Sequence, residues 1–285
     1  MDMGKDIKLQ VMICTYGEDG IYRVTNGLHP KTKGVEYLIS WQASEGVDVP
    51  DSLQREDFRI YRTDTRGLSK NRNHALSKAT APFLLISDDD VDYTPEGLNA
   101  VIDSFEQNPD MDILTFKYAS VSATKKHPDH TFSLKNPVKG YFVTSFEIAL
   151  RSKNIKGKVW FNEEFGIGAH FPSGEEDVFI KDCLEMGLTG QYLPITITRH
   201  DGTTTSERNL KLPSRPQTKG AVFLHLHPKD WFLRMIIHAI REIPQWRNDK
   251  VPSPMSYCLN WMKGARMAKK MKVFPTPDYS KVYLS

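Results

Sequence analysis

Three aspartates stand side by side in LLISDDDVDY, residues 84–93. An apolar run precedes them, so Asp88, Asp89 and Asp90 lie where a chain leaves its core. Like charges this close repel, and loss of water strengthens the repulsion. The trio therefore needs a solvated strand end or a positive partner. Hard divalent cations such as Mg²⁺ or Mn²⁺ take carboxylate oxygens as ligands. A second acidic group, Glu175, Glu176 and Asp177, lies in SGEEDVFIKD. A carboxylate there is a candidate general base. Arg66, Ser69, Lys70, Arg72 and Asn73 cluster in RGLSKNRN at a predicted helix start, where backbone N–H groups and guanidinium forks favour phosphate. His200, in TRHDGTTTS, completes the set.

The elements that must position these residues alternate. Residues 7–15, 35–41, 58–62, 83–87, 112–118 and 192–198 read as strands from their β-branched and aromatic content. TYGEDG after the first strand reads as a loop, marked by two glycines. Helical patterns fall between. Ser69 is the expected cap of KNRNHALSKA. Thr94 and Pro95 open a helix with Leu98, Val101, Ile102 and Phe105 on one face. Ser173 and Glu176 have capping-box spacing before DVFIKDCLEM, with Gly187 as its stop. The implied fold class is α/β, a Rossmann-like, mostly parallel sheet flanked by helices. Ligands of such sheets sit at the carboxyl ends of strands, where the aspartates, Thr15 and Tyr16 all fall. From about residue 228 the pattern becomes helical and basic, which divides the chain into residues 1–227 and a C-terminal helical tail, 228–285.

Three chemistries compete for the aspartates. A calcium loop starting at Asp88 fails, because Tyr93 stands where glycine is needed and Asn99 where a bidentate Glu is needed. Asp90-Val91-Asp92-Tyr93-Thr94 matches the DxDxT that resembles the haloacid-dehalogenase phosphohydrolases, with Asp90 as nucleophile and Asp92 beside it. Those enzymes carry the motif on their first strand, and here several strands precede it. The third is the DxD site of a nucleotide-sugar transferase. Thr15-Tyr16 after the first strand, GLSKNRNHALSKATAPFLLISDDDV (67–91) and FPSGEEDVFIKDCLEMG (171–187) together resemble family 2 glycosyltransferases of the GT-A fold. The likeness runs over residues 7–205.

That resemblance implies a metal-dependent inverting glycosyltransferase. Residues 1–227 would be the catalytic domain, and Mn²⁺ or Mg²⁺ the cofactor. The donor would be a nucleoside-diphosphate sugar, a UDP-sugar favoured, and the acceptor a glycan or lipid-linked hydroxyl. By the same resemblance Thr15, Tyr16, Asp88 and Asp89 face the nucleotide, and Arg72, with Ser69, the diphosphate. Asp90, with Asp88 and His200, would hold the metal. Asp177 would be the base, with Glu176 as reserve. One departure stands out. The family ends its second strand in Asp-Asp, whereas this chain has Ile39-Ser40-Trp41-Gln42, leaving Ser40 or Gln42 as base contacts. Trp160, Phe161, Tyr141 and Phe142 are candidate sugar-stacking faces or core. Gly202 and Thr203 to Ser206 read as a lid. A non-catalytic binding module of the same fold is the remaining alternative.

Composition sets the bounds. The 285 residues are 39% hydrophobic and 26% charged, as in ordinary globular proteins. Cys14, Cys183 and Cys258 are widely spaced, without disulfide or zinc patterning, which suits a reducing compartment. With no signal core and no membrane-length apolar run, the expectation is a cytoplasmic protein. Net charge is +3, but from residue 208 onward there are fifteen Lys/Arg and four Asp/Glu. Trp231, Phe232, Ile236, Ile237 and Ile240 beside Arg234, Arg241 and Arg247 make the tail a candidate for peripheral contact with the inner face of a membrane. No nucleic-acid-binding signature accompanies the basic charge, so no nucleic-acid partner is expected.

Overall fold

The computed structural model describes residues 6–121, 125–201, 214–246 and 253–284, the side chains of 242–246 excepted. The lid expected at Gly202 and Thr203 to Ser206 lies outside the described residues, as does Arg247.

Four strands form a parallel block in the order β3-β2-β1-β4: β1 (Leu9–Tyr16), β2 (Val35–Gln42), β3 (Phe58–Thr63) and β4 (Phe83–Ser87). Leu9 pairs with Phe83 and Ile13 with Ser87, so β1 overruns β4 by three residues. That overhang carries Thr15 alongside the aspartates that follow Ser87. Thr15 and Tyr16 in turn pair with Trp41 and Gln42, so three strands end on one rim.

The rest of the nine-stranded sheet is mixed. After β5 (Asp92–Tyr93) comes β6 (Ile113–Ala119), and after β7 (Phe132–Ser133) comes β8 (Ile148–Arg151). Strand β8 runs antiparallel to both β4 and β6. Strand β9 (Gly190–Arg199) is parallel to β6, with β5 and β7 antiparallel against it. The short segment β8 has no alternation to announce it, and it makes the sheet less parallel than its longest strands suggest.

Helices cover both faces. On one, α1 (Gly17–Asn26) and α3 (Pro95–Gln107) bury Ile21, Val24, Leu98, Val101 and Phe105. On the other, α2 (Leu68–Lys78) and α5 (Glu175–Glu185) bury Ala75, Leu76, Phe179 and Cys183. A single turn, α4 (Ser152–Ile155), lies between them in sequence. The cap expected at Thr94 forms, its Oγ1 accepting the Gly97 N–H at 3.2 Å. Three local expectations fail. TYGEDG is not a loop, because α1 starts at Gly17. Gly67, not Ser69, caps α2 at φ +112°. The Ser173–Glu176 box does not form, because left-handed Gly174 is the cap of α5. A Cβ at Gly174 would meet Val222 Cγ2 at 2.6 Å.

The C-terminal region comprises α6 (Ser214–Leu226), α7 (Trp231–Trp246), α8 (Pro254–Met271) and α9 (Ser280–Tyr283). It is not a loosely appended tail. Asn162 donates to the Val273 carbonyl at 2.7 Å, Trp160 to Asp278 at 3.2 Å and the Tyr283 hydroxyl to Glu163 at 2.6 Å. These bonds bind residues 273–283 back onto the first unit. Trp160 and Phe161 are therefore core rather than sugar platforms: Phe161 stacks on Phe179 at 4.1 Å. Phe142 stays half exposed, and Tyr141 packs against Tyr192.

Helices α6 and α8 meet through two glycines. A Cβ on Gly264 would lie 1.9 Å from the Gln217 carbonyl oxygen, and one on Gly220 1.9 Å from that of Trp261. Gly264→Ala gains about 1 kcal/mol of helix propensity. Overpacking against an unyielding backbone costs roughly 1–3 kcal/mol, and a 1.9 Å approach belongs at the upper end. The net expectation is destabilisation by about 1–2 kcal/mol, read as a lower denaturant midpoint with an unchanged slope.

Candidate active site

Each aspartate of the trio meets a different partner. Asp88 accepts from the Ser145 hydroxyl at 2.6 Å and from Arg72 at 3.3 Å. Asp89 receives a two-pronged bond from Arg23, 2.9 Å on each oxygen, and the Thr15 hydroxyl at 2.8 Å. Both Asp89 oxygens are thus committed inside the protein. A Cβ at position 20 would meet Thr15 Oγ1 at 2.3 Å and Asp89 Oδ2 at 3.1 Å, so α1 carries glycine there. Asp90 faces His200, Oδ2 to Nε2, at 3.4 Å. This contact holds the Asp90 carboxyl below its usual range and raises the His200 imidazole. His200 also stacks on Phe146 at 4.9 Å.

Arg72 is the buried hub. Its side chain is 2% exposed, and its guanidinium reaches Glu176 at 3.0 Å, Glu175 at 3.1 Å and Asp88 at 3.3 Å. Burial alone lowers the pKa of a guanidinium, but Glu176, Glu175 and Asp88 outweigh it and push Arg72 higher still. A diphosphate contact was expected of Arg72. The structure gives its fork to carboxylates instead, and Glu176, the expected reserve base, is one of them. Ser69 likewise turns inward and donates to the Phe165 carbonyl at 2.6 Å.

Asp177 is half-buried in the first turn of α5. Burial is the main reason its carboxyl is pushed up to about 7; Glu176 repels it further, and Lys125 pulls it down. Lys125 is itself buried in an ion pair with Glu147, and burial lowers its pKa. Glu147 accepts the Thr144 N–H at 2.7 Å. Lys125 also lies 4.5 Å from the centre of the exposed Phe142 ring.

The rim of β2 is closed by neutral groups. Ser40 is buried and bonded to His74 Nδ1 at 2.7 Å, so it is not a base contact. Gln42 donates to Thr65 Oγ1 at 2.9 Å and to the Gly67 carbonyl at 3.2 Å, bracing the turn into α2. Tyr16 stands half exposed at the mouth. A polar cleft of about 340 Å³ opens beside the start of α2, lined by Arg66, Lys70 and His170 together with Glu163 and Glu164; none of the three aspartates lines it. Asp92, the second acid of the phosphohydrolase reading, accepts the Leu28 N–H at 2.8 Å from within β5.

Asp90 and His200 fit a divalent cation. Oxygen and imidazole donors suit Mn²⁺, and two atoms bound to one ion at about 2.1 Å lie roughly 3 Å apart, close to the gap seen. Asp88 is near but has both oxygens engaged. Among the described residues the tightest set of three such donors is elsewhere: Asp182, Glu185 and His225. Asp182 is already satisfied there by His225 at 2.6 Å and by Thr276.

A family model described as "Glycosyl transferase family 2" matches residues 10–171. The chain is a member of glycosyl transferase family 2. This retires the phosphohydrolase alternative. No curated protein sequence matches the chain. Among solved structures, residues 1–349 of S. aureus TarS in complex with UDP-GlcNAc align at TM-score 0.58 and 15% identity, over 93% of this chain and 92% of that one. A mannosyltransferase from Pyrobaculum calidifontis, in complex with GDP-Man and Mn²⁺, aligns at TM-score 0.52 and 14% identity, over 94% and 78%. A longer TarS structure aligns at TM-score 0.54 and 18% identity over 76% of this chain, which spans 39% of its length. These likenesses establish the GT-A fold.

Arg23, Ser145, Lys125 and Glu147 were not singled out from the sequence. Arg23 lies just past TYGEDG, which was read as a loop, although Ile21 and Val24 around it have helical spacing. Nothing in the sequence pairs Lys125 with Glu147.

The Arg72 hub makes a signed prediction. Arg72→Met strands Glu175, Glu176 and Asp88 without their cation, and breaking such a buried pair costs about 3–5 kcal/mol. Glu175, already pushed up to about 8 by burial and by Glu176, then loses the cation that draws it down and keeps its proton to still higher pH in the folded state than in the unfolded one. Stability of the variant therefore falls as pH rises. Its deficit against wild type should be larger at pH 8 than at pH 5 in urea titrations.

Proposed function

We propose that the protein transfers a sugar from a nucleoside-diphosphate donor, a UDP-sugar favoured, to a hydroxyl of a glycan or lipid-linked acceptor, with inversion at the anomeric carbon. The observation that carries this reading is the division of labour among the acids. Asp88, Asp89, Glu175 and Glu176 are internally paired, whereas Asp90, with His200, and Asp177 remain for chemistry.

Asp90 and His200 would hold Mn²⁺ or Mg²⁺. When bound, the ion offsets the charge that gathers on a departing diphosphate. Thr15 and the Gln42-braced turn shape the nucleotide side of the rim. Asp177 accepts the proton of the acceptor hydroxyl as that oxygen attacks. A carboxylate near pH 7 is a far better base than an exposed one, yet is still largely ionised just above neutrality. Direct attack by the hydroxyl, assisted by one base, inverts the anomeric centre without a covalent intermediate. The complexes of TarS with UDP-GlcNAc and of the Pyrobaculum enzyme with GDP-Man and Mn²⁺ support the donor class. The exposed Phe142 ring beside Lys125 is the aromatic surface best placed for a sugar acceptor.

Thermal unfolding with UDP, GDP, CMP and dTDP, each with and without Mn²⁺, tests donor and metal together. At about a hundredfold excess over Kd, ligand adds roughly 2.7 kcal/mol, about 5 °C in Tm. UDP with Mn²⁺ should give the largest shift, and Asp90→Asn should remove its metal-dependent part. No metal-dependent shift with any nucleotide refutes the reading. Asp177→Asn should keep that shift while transfer falls about 10²–10⁴-fold. For wild type, the transfer rate should rise with pH through about 7, as Asp177 ionises, and then level off. Donor binding without turnover on any acceptor would instead identify a non-catalytic module.

A further inference from the structure

Helix α7 has two apolar faces and packs only one. Met235 and Ala239 are buried with Tyr257 and Trp261, and His238 lies against Trp261 and Phe223. The other face carries Phe232, Leu233, Ile236, Ile237 and Ile240, which are 40–59% exposed. At 100° per residue these five span an arc of about 140°. Among the described residues nothing covers them. Scattered exposed apolar residues are ordinary, but a continuous stripe of five marks a contact surface.

The surrounding charge selects what it contacts. Residues 228–285 hold eleven Lys/Arg against four Asp/Glu. Lys229 and Arg241 flank the stripe and are exposed. On the neighbouring α8, helical spacing puts Met255, Leu259, Lys263, Arg266 and Lys270 on one outer face, and all five are exposed. Apolar side chains bordered by cations match an anionic bilayer surface, which takes the former among its acyl chains and the latter at its headgroups. A second copy of this chain would instead bring like-charged rims together. No helix among the described residues is long and apolar enough to cross a membrane, so the contact lies in the interfacial plane.

We infer that the outer face of α7, with the basic outer face of α8, docks the protein on anionic lipid. Helix α6 packs on both α7 and α5. Docking therefore holds the helix that carries Asp177 one layer from the bilayer, as a lipid-linked acceptor would require. The inference specifies the partner within the proposed transferase reading, but its test needs neither donor nor metal, so the two can fail separately.

The experiment is flotation of the full chain with phosphatidylcholine vesicles, and with vesicles of phosphatidylcholine and phosphatidylglycerol, at low and high salt. Wild type should float with the anionic vesicles only, and salt should release it. Each lysine or arginine engaged at the surface contributes about fivefold to binding. Ile236→Glu/Ile240→Glu should weaken binding at least tenfold with the solution unfolding midpoint unchanged. Lys263→Glu/Arg266→Glu, which leaves the apolar stripe intact, should weaken it comparably and make it less sensitive to salt. Absence of flotation, or flotation unaffected by both variants, overturns the inference. So does a concentration-dependent dimer that Ile236→Glu/Ile240→Glu breaks, since the face would then belong to a second copy.

Discussion

One buried guanidinium holds this candidate site together. Arg72 rises from α2, Asp88 follows β4, and Glu175 and Glu176 open α5. No covalent link fixes these three elements, and their carboxylates would repel one another without a cation among them. Arg72 resolves the repulsion from a buried position beside the equally buried Glu175, with Glu176 and Asp88 on its more open side. Removing two acids from water is expensive, and it is tolerable only when a well-oriented cation is removed with them. The position of α5, and so of Asp177, depends on that ion cluster before it depends on any substrate.

The same logic runs along the aspartate trio. Three adjacent carboxylates are untenable as a group but tenable one at a time. Asp88 leans on Arg72 and Ser145, Asp89 on Arg23 and Thr15, and Asp90 on His200. The partners come from α1, α2, β1, the turn before β8 and the residue after β9. The trio thereby becomes the junction at which both halves of the sheet are stitched together. Only the Asp90 pair can exchange its partner for an ion without breaking a scaffold contact, because His200 keeps its stack on Phe146 whether or not it is protonated.

The sheet was legible where its physics is local. β4 is a continuous apolar run, and its ends fall where composition places them. The Thr94–Pro95 start is a side-chain cap beside a proline, and it forms. Legibility failed where a glycine settled a contest between neighbours. Gly17 and Gly20 read as a loop, yet Gly20 lies within α1 and is glycine because Asp89 and Thr15 approach too closely for a side chain. Ser173 lost its cap to Gly174, which alone tolerates the left-handed turn against Val222. In the site, residue types were readable but their partners were not. Arg72 was visible as a cation near acids; that it faces inward depends on α5, about a hundred residues downstream. The second strand shows the same limit. Its missing aspartates were plain in the sequence, but only contacts reveal that Gln42 braces the turn into α2 and that Ser40 is held by His74.

Helix α5 is also gripped from behind. Asp182, on the same helix as Asp177, takes His225 of α6 on one oxygen and Thr276 of the returning C-terminal segment on the other. His225 lies flat on Phe274, 4.0 Å away, and Phe274 stacks in turn on Phe165. The C-terminal region therefore reaches α5 twice, once through α6 and once through the segment before α9. An extension that merely tethered the protein would need neither contact. A helix anchored at one end by Arg72 and further along by Asp182 has little freedom to pivot, as the proposed role of Asp177 requires of a base. The basic C-terminal helices are thus part of the frame that holds α5, and whatever they bind is mechanically continuous with that helix.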